Sequence, residues 1–390
     1  MNVERTVFIR ITHYNRLTWP LLLSVWEQSS IDEQFSIRIA EGADELSASA
    51  KPGDVVLYSF MTPHLPTVVR EIAALQKDII TVAGGPHADA DPEGTIRAGF
   101  SIAATSAGED SMLKLAAMLA RGDIGIVRGA FDNERFSSHL PFSRRLKTIP
   151  PLEMNRGCKN ACLYCATGRI PFAHRSLASV KGYFREFTAR RATRVGFITS
   201  SALEYGDGLS SVEVLLEEAK KANCTHIEYG IFPSELHPKT ITDEAIHLLK
   251  RFVSNKRLTI GLQTMGDERL AVLGRDHTMQ DVARAIACAV REFAVTIDII
   301  VALPGETEAD RRIVFTAMRD WHKRYAIRFQ MHHFFPLAGS AFENERPAFM
   351  SNDEKNELHA LTENGIATPW WEEGERTTRE YLAFRDANRK

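Results

Sequence analysis

The sequence predicts an α/β chain: a doubly wound parallel domain at the N-terminus, a partial (β/α)6 barrel after it, and a short helical C-terminal cap. Three observations carry this. Short β-branched runs alternate with amphipathic stretches, the pattern of strands covered by crossover helices. The alternation breaks over 131–150 and resumes with a period of roughly 30–40 residues, the length of a βα unit. At 390 residues, the chain also exceeds what one ordinary core holds.

In the first part, TVFIRI (6–11), FSIRIA (35–40), DVVLYSF (54–60), IITVAGG (79–85) and FSIAATS (100–106) read as strands. PHLPTVVREIAALQ (63–76) and EDSMLKLAAMLARG (109–122) read as helices. In the second of these, Met112, Leu115, Ala116 and Leu119 share one face and Gly122 ends it. Ligands of such sheets bind beyond the carboxyl ends of the strands. Those loops are SFMTPH (59–64), GGPHADADPEG (84–94) and SAGED (106–110), all poor in bulky side chains. Residues 131–150 gain Pro, Ser and Arg, and read as a linker between a domain at 1–130 and a barrel at 151–345.

The barrel strands are PLEMN (151–155), RVGFIT (194–199), HIEYGIF (226–232), RLTIGL (257–262), VTIDIIV (295–301) and RFQMHHF (328–334). Helix starts are signalled by Ser210 with Glu213 as a capping box, Thr242 before Asp243 and Glu244, and Thr278 with Asp281. Barrel chemistry sits on the loops after the strands. Here those loops hold a cysteine cluster, SSALEYGDG (200–208), PSELHP (233–238), QTMGDE (263–268), LPGET (303–307) and PLAGS (336–340). Residues 346–390, charged and carrying Trp370 and Trp371, read as the helical cap.

Composition narrows the function classes. The chain is 44% hydrophobic and 25% charged with no 18-residue apolar run, so no membrane span is expected. MNVERTVFIRITHY lacks the pattern of a signal peptide. A net charge of -2 gives no nucleic-acid footprint. Five cysteines, three of them clustered, make no disulfide framework and point to a reducing compartment, the cytoplasm by default.

The cluster is NRGCKNACLYCAT, with Cys158, Cys162 and Cys165 spaced C-x3-C-x2-C. Zinc with His174 as fourth ligand is one reading, although zinc sites favour paired C-x2-C or Cys/His mixtures. Cys288 in RAIACAVREF and Cys224 ahead of a strand read as structural. Three thiolates on a four-iron cluster leave one iron open, and an open position is what a catalytic metal keeps.

This loop resembles the radical S-adenosylmethionine (SAM) superfamily, whose motif places an aromatic, here Tyr164, before the last cysteine. GLQTMGDERLAVLGRDHT (261–278), IDIIVALPGETEAD (297–310) and HHFFPLAGSAFEN (332–344) resemble its later strand segments. The resemblance implies a [4Fe-4S] cluster on the three cysteines. It also implies SAM contacts from Tyr164, Ser200, Glu235, Gln263 and Arg275 and from the backbone near Leu303 and Pro304. The family's Gly-Gly-Glu after the second strand is replaced by Ser200-Ser201-Ala202. Read by chemistry alone, Gln263 equally suits a helix cap, Arg275 an ion pair with Asp276 or Asp281, and Glu235 a rigid local turn.

A doubly wound, Rossmann-like domain ahead of such a barrel is similar to the cobalamin-binding members of the superfamily. The resemblance implies cobalamin contacts from Ser59, Thr62, Gly84, Gly85, Pro86, His87, Gly108 and Glu109. Asp-x-His-x-x-Gly is absent, so cobalt is expected to lack a lower histidine, with His64 and His87 at loop edges. A glycine pair by itself reports only backbone geometry, so a nucleotide site or a structural remnant stays open. The implied reaction is SAM cleavage to a 5′-deoxyadenosyl radical, then C-methylation of an unactivated carbon by methylcobalamin. Its implied partners are a small-molecule or peptide substrate and an electron donor such as flavodoxin or ferredoxin. The alternatives are a radical SAM rearrangement or cyclisation with cobalamin assisting or absent, and a non-catalytic Fe–S electron-transfer protein.

Overall fold

Alternating apolar runs become two parallel sheet systems in the computed structural model, which describes residues 5–29 and 35–388. The chain divides into two units, Met1–Pro150 and Pro151–Lys390. In the first, β1 (Thr6–Arg10), β2 (Ser36–Ala40), β3 (Val55–Ser59), β4 (Ile80–Gly84) and β5 (Ile102–Thr105) occupy the five expected runs. A sixth strand, β6 (Gly125–Arg128), was not expected; GIVR is too short to show a period. All pair in parallel, in the order β2-β1-β3-β4-β5-β6. This is the flavodoxin-type order with one added strand, and it reverses direction between β1 and β3.

Helices α1 (Trp19–Glu27), α2 (Ala43–Ser49), α3 (Leu65–Ala73), α4 (Pro86–Ala90), α5 (Pro92–Arg97) and α6 (Gly108–Arg121) cover the sheet. Every residue of β3 is buried, as a parallel strand covered on both faces requires. The core joins Val7, Ile9, Val55, Leu57, Val82 and Ile102 to Trp19 and Trp26 of α1 and to Met112, Leu115 and Leu119 of α6. The expected face of α6 is therefore the buried one, and Gly122 ends the helix in the left-handed region.

The 131–150 stretch, expected as a linker, is anchored to the first unit. It carries α7 (Asn133–Ser138), whose Arg135 pairs with the buried Asp110. The Glu27 carboxylate accepts bonds from Ser143 Oγ and the Arg144 N–H, both at 2.7 Å. Ser24 Oγ donates to the Leu140 carbonyl at 2.7 Å.

The second unit begins with β7 (Leu152–Glu153) and a small hairpin of β8 (Asn155–Arg156) with β9 (Ala173–His174). Then come β10 (Arg194–Ile198), β11 (His226–Glu228), β12 (Arg257–Gln263), β13 (Ala294–Val301) and β14 (Arg328–His333). The six predicted strands are all present, the first interrupted at Met154. They pair in parallel as β7-β10-β11 and β12-β13-β14. The Thr259 N–H donates to the Gly230 carbonyl at 2.7 Å and the Leu236 N–H to the Thr259 carbonyl at 2.9 Å, linking the two groups.

Between the strands run α8 (Leu177–Ala189), α9 (Leu209–Lys221), α10 (Asp243–Phe252), α11 (Asp267–Val272), α12 (Met279–Ala289) and α13 (Glu308–Tyr325). Thr242 caps α10, and Thr278 with Asp281 forms a capping box on α12, as expected. Ser210 does not cap α9: the N-cap is Gly208, two residues earlier, where the glycine's positive φ of +90° turns the chain first. On β12–β14, Ile260, Ile297, Ile299, Phe329 and Met331 are fully buried, and α12 and α13 pack on these strands. The register places Gly261, Asp298 and Gln330 side by side on the opposite, inward face.

The cap comprises α14 (Asn352–Glu363) and α15 (Trp370–Asn388). The chain between them pairs with the outer edge of β14: the Phe329 N–H donates to the Ile366 carbonyl at 2.8 Å and the Thr368 N–H to the Phe329 carbonyl at 2.9 Å. An open strand edge is thereby covered. Among the described residues, no helix is long and apolar enough to cross a membrane.

Candidate functional site

The three cysteines lie in the loop between β8 and β9, and the chain there is closely fitted. Gly157 adopts φ +73°, and a Cβ on it would stand 2.4 Å from the Ile170 carbonyl. The Leu163 N–H donates to the Leu273 carbonyl at 2.9 Å, and the Phe342 N–H to the Leu163 carbonyl at 3.0 Å. The loop is thus tied to the segments after β12 and β14.

Each sulfur accepts one N–H from the chain. The Asn160 N–H reaches Cys158 Sγ at 3.4 Å, the Thr167 N–H reaches Cys165 Sγ at 3.4 Å, and Arg275 Nη1 reaches Cys162 Sγ at 3.3 Å. Burial pushes the Cys158 thiol up; the Asn160 N–H and the Ser200 hydroxyl pull against it, and the other two cysteines push with it. All five cysteines are free, and Cys224 and Cys288 are buried.

A lone tetrahedral zinc with bonds of about 2.3 Å would draw its sulfurs to about 3.8 Å of one another. Among the described residues, the only three-ligand group whose donor atoms all lie within 4.8 Å is His237, Asp276 and His277. Neither the cysteines nor His174, an exposed residue on β9, form such a set.

Arg275 also donates Nη2 to the Gly261 carbonyl at 2.6 Å, so it bridges the cysteine loop to β12. Burial alone would lower its guanidinium; Tyr164 and Cys162 hold it above its ordinary value. Of its possible acidic partners, Asp281 serves the α12 capping box and Asp276 takes Lys239 at 3.2 Å. Tyr164 packs on Leu273, Leu303 and Phe334, and burial raises its phenol well above the usual range. The structure therefore gathers Tyr164, Arg275 and Leu303 around the cysteines.

The other expected SAM residues lie at neighbouring strand ends. The Ser200 N–H donates to Asn155 Oδ1 at 3.2 Å. The Glu235 carbonyl accepts the Ala202 N–H at 3.0 Å, and its half-buried carboxyl is pushed up to about 7 by burial, with Asp298 adding to the shift. Gln263 closes β12 at φ +82°, where the register with β13 shifts, and caps no helix. The Pro304 carbonyl accepts Arg269 Nη2 at 3.3 Å. Sequence reasoning missed Asp298 and His332, inward-facing on β13 and β14; an isolated acid in VTIDIIV was the available signal.

In the first unit, the expected cobalamin residues all lie at the carboxyl ends of β3, β4 and β5. Gly85 adopts φ +90°, and a Cβ there would meet the Phe60 N and O at 2.8 Å and Ser59 Oγ at 2.9 Å. Gly84 ends β4 and Pro86 opens α4. Thr62 Oγ1 lies 3.2 Å from His87 Nδ1. His87 is 2% exposed rather than at a loop edge, because α4 turns it inward beneath Phe60; burial lowers its pKa to about 4. His64 stacks on Tyr14 with ring centres 3.6 Å apart. Gly108 and the buried Glu109 open α6. Asn15, not anticipated, donates Nδ2 to the Arg10 and Ser59 carbonyls, both at 3.0 Å, and so clasps β1 to β3 where the strand order reverses.

Comparison with known proteins follows the same division. The model of the Radical SAM superfamily matches residues 152–317. A tRNA-2-methylthio-N(6)-dimethylallyladenosine synthase of Streptomyces coelicolor is 23% identical over 237 residues, 59% of this chain and 47% of that protein. The threonylcarbamoyladenosine tRNA methylthiotransferase MtaB of Thermotoga maritima is 25% identical over 230 residues, 56% of this chain and 50% of that protein. The chain spans about half the length of these curated relatives.

Among solved structures, the radical SAM methyltransferase TsrM of Kitasatospora setae, with cobalamin and a [4Fe-4S] cluster bound, superimposes with a TM-score of 0.63 at 16% identity. That match covers 87% of this chain and 78% of TsrM. The cobalamin-dependent SAM radical enzyme OxsB matches with a TM-score of 0.59 at 10% identity, over 93% of this chain and 56% of OxsB. At these identities the likeness is one of fold. The second unit thus matches the Radical SAM superfamily model over 152–317, and the fold likeness to TsrM and OxsB extends over 87% and 93% of this chain.

Proposed function

We propose that the chain cleaves SAM reductively at a [4Fe-4S] cluster held by Cys158, Cys162 and Cys165, and C-methylates an unactivated carbon with cobalamin held by the first unit. The observation that carries this is the cysteine loop itself: three free thiols at C-x3-C-x2-C spacing, each given one N–H donor by the chain. The cluster fits this donor set. Cobalamin fits the first unit on separate grounds: the Gly85 cradle, at the carboxyl end of β4, admits close approach to the backbone. When bound, the cluster supplies the electron that opens the sulfonium of SAM, and cobalamin serves as methyl carrier.

The chain's own residues prepare this chemistry. Arg275 fixes the cysteine loop against β12 and gives Cys162 a charged hydrogen bond. Tyr164 and Leu303 close the apolar side of the loop and exclude water. Ser200, Glu235, Gln263 and the backbone at Leu303 and Pro304 stand at successive strand ends, where a bound nucleoside would be received. Ser59, Thr62, Gly84, Gly85, Pro86, His87, Gly108 and Glu109 line the corresponding edge of the first sheet. The substrate is a small molecule or peptide, as suits a fold in which TsrM has been seen with tryptophan and a SAM analogue. A flavodoxin or ferredoxin supplies electrons, in the cytoplasm, where free thiols persist. Methylation is preferred over methylthiolation because the fold likeness to TsrM spans both units, whereas the methylthiotransferase match covers 59% of the chain.

The test is anaerobic reconstitution followed by SAM and dithionite. Iron near four per chain and 5′-deoxyadenosine are expected, and Cys158→Ala, Cys162→Ala and Cys165→Ala should each abolish the product. Persistence of the product in those variants would remove the cluster assignment. A chain purified from vitamin-supplemented cells without a cobalamin spectrum would remove the methylation.

A further inference from the structure

His237 and His277 are 7% and 3% exposed, and their rings lie edge to face with centres 5.1 Å apart. His237 Nε2 and both ring nitrogens of His277 are buried without a hydrogen-bond partner among the described residues. His237 opens the short turn at Pro238–Thr240, and His277 precedes Thr278, the cap of α12. The pair therefore joins the loop after β11 to the loop after β12. Asp276 completes the group. Its Oδ1 stands 2.9 Å from His237 Nε2, yet without the alignment of a hydrogen bond. One donor atom from each of the three residues lies within 4.8 Å of the other two.

Buried polar atoms are ordinarily hydrogen-bonded, and leaving them bare is costly. Core packing alone accounts neither for three bare nitrogens nor for a carboxylate oxygen set beside one of them out of line. Two imidazoles and a carboxylate are a donor set for zinc-class ions. A tetrahedral ion with bonds of about 2.0–2.2 Å brings its ligand atoms to roughly 3.3–3.5 Å of one another, so closure of at most about 1.5 Å is needed here. Local charge suits a dication: Asp276, Glu204 and Asp281 act on the imidazoles against Arg275 and Lys239. Arg275 is already committed to Cys162 Sγ. Lys239, 3.2 Å from Asp276 Oδ2 on a half-exposed side chain, is the group an ion displaces. His237 Nδ1 accepts the Lys239 N–H at 3.4 Å; ligation through Nε2 moves the ring proton to Nδ1 and gives up that long bond.

We propose that His237, Asp276 and His277 bind one divalent ion of the zinc class, with water at a fourth position. The ion staples the loop after β11 to the turn before α12, next in sequence to the arginine that holds the cysteine loop. This site is separate from the cysteines and does not depend on the function proposed above. Free thiols also bind zinc, so the two places an ion can go must be separated.

The experiment takes the full chain with its cluster reconstituted, so that the three cysteines are occupied, and dialyses it anaerobically against zinc buffered at about 1 μM free ion. Retention of about one zinc per chain is expected, and X-ray absorption at the zinc edge should show only nitrogen and oxygen neighbours at about 2.0–2.2 Å. His277→Ala and Asp276→Asn should each weaken retention at least about tenfold while iron content holds. Lys239→Ala removes the cation that competes for Asp276 and should tighten retention at least about twofold. No retained zinc, or a sulfur shell near about 2.3 Å, would overturn the proposal. Retention unchanged in His277→Ala and Asp276→Asn would mean an adventitious ion only, and would overturn it too. If His277→Ala loses iron or folds poorly, Asp276→Asn and Lys239→Ala decide, both being at half-exposed side chains. Weaker retention in the first with tighter retention in the second upholds the site, and any other pattern counts against it. Zinc retention without 5′-deoxyadenosine formation would refute the enzymatic function and leave the site standing; the reverse result would do the opposite.

Discussion

Arg311 and Arg312 are neighbours of identical chemistry, and the fold gives them opposite weight. Arg311 is 5% exposed and sits between two buried carboxylates, with Nη1 3.3 Å from Glu306 Oε2 and Nε 2.6 Å from Glu354 Oε1. It also donates to the carbonyls of Glu306 and Ala348, tying the loop after β13 to the C-terminal cap. Arg312 pairs with Glu308 at 2.7 Å on the surface, both side chains mostly exposed. Arg311→Met leaves two buried carboxylates without their shared cation, a loss of about 3–5 kcal/mol. Arg312→Met removes an exposed i,i+4 pair worth about 0.3–0.5 kcal/mol.

Proton linkage sharpens the contrast. Burial pushes Glu306 up to about 7, against the pull of Arg311 and of the Ala302 N–H. A carboxyl raised in the folded state takes up its proton more readily there, so its favourable contribution is present at low pH and is lost as pH rises through about 7. With Arg311 gone, Glu306 rises further, and Arg311→Met should regain part of its stability as pH falls from about 8 to about 6. Hydrogen exchange in α14 of the cluster-free protein, read against urea, isolates this element without assuming a single transition. Comparable losses in the two variants, or an Arg311→Met deficit that grows on acidification, would refute the burial argument.

The remaining predictions concern the cofactor loops. Gly85→Ala forces a Cβ to within 2.8 Å of Phe60 backbone at φ +90°, so a loss of about 1–3 kcal/mol is expected in the first unit, read by its melting and by cobalamin uptake. Arg275→Met strips the donors from Cys162 Sγ and the Gly261 carbonyl, and iron bound per chain should fall. Arg275→Lys, a point charge without the planar fork, should be intermediate. Asp298→Asn should lower the Glu235 pKa from about 7 only partway, since burial, the larger cause, remains. Carbon-13 NMR of labelled glutamate follows it, and no movement would mean the two carboxyls do not interact.

Periodicity located the six barrel strands because each is a long apolar run or strict alternation, and it located α6 because its apolar residues recur every three or four positions. It passed over β6, four residues led by glycine, and α1, whose WPLLLSVW is apolar on nearly every side. The cysteine spacing pointed to one loop, but Arg275 bonding to Cys162 is a contact across 113 positions, beyond any local pattern. His87 was misjudged for a similar reason. GGPH reads as a surface turn, and only the tertiary fold shows α4 turning the ring inward. Asp298 was legible in principle, since a charge amid β-branched residues contradicts its strand; what it faces was not.

The three N–H···S bonds have a consequence for how such a centre can change. Two donors, Asn160 and Thr167, belong to the main chain, so no side-chain replacement short of proline removes them. The third belongs to Arg275 alone. Hydrogen bonds to cluster sulfurs are among the levers that set its reduction potential. Mutation can therefore turn one of the three readily, and drift of the centre's electron affinity among related chains would be written at position 275.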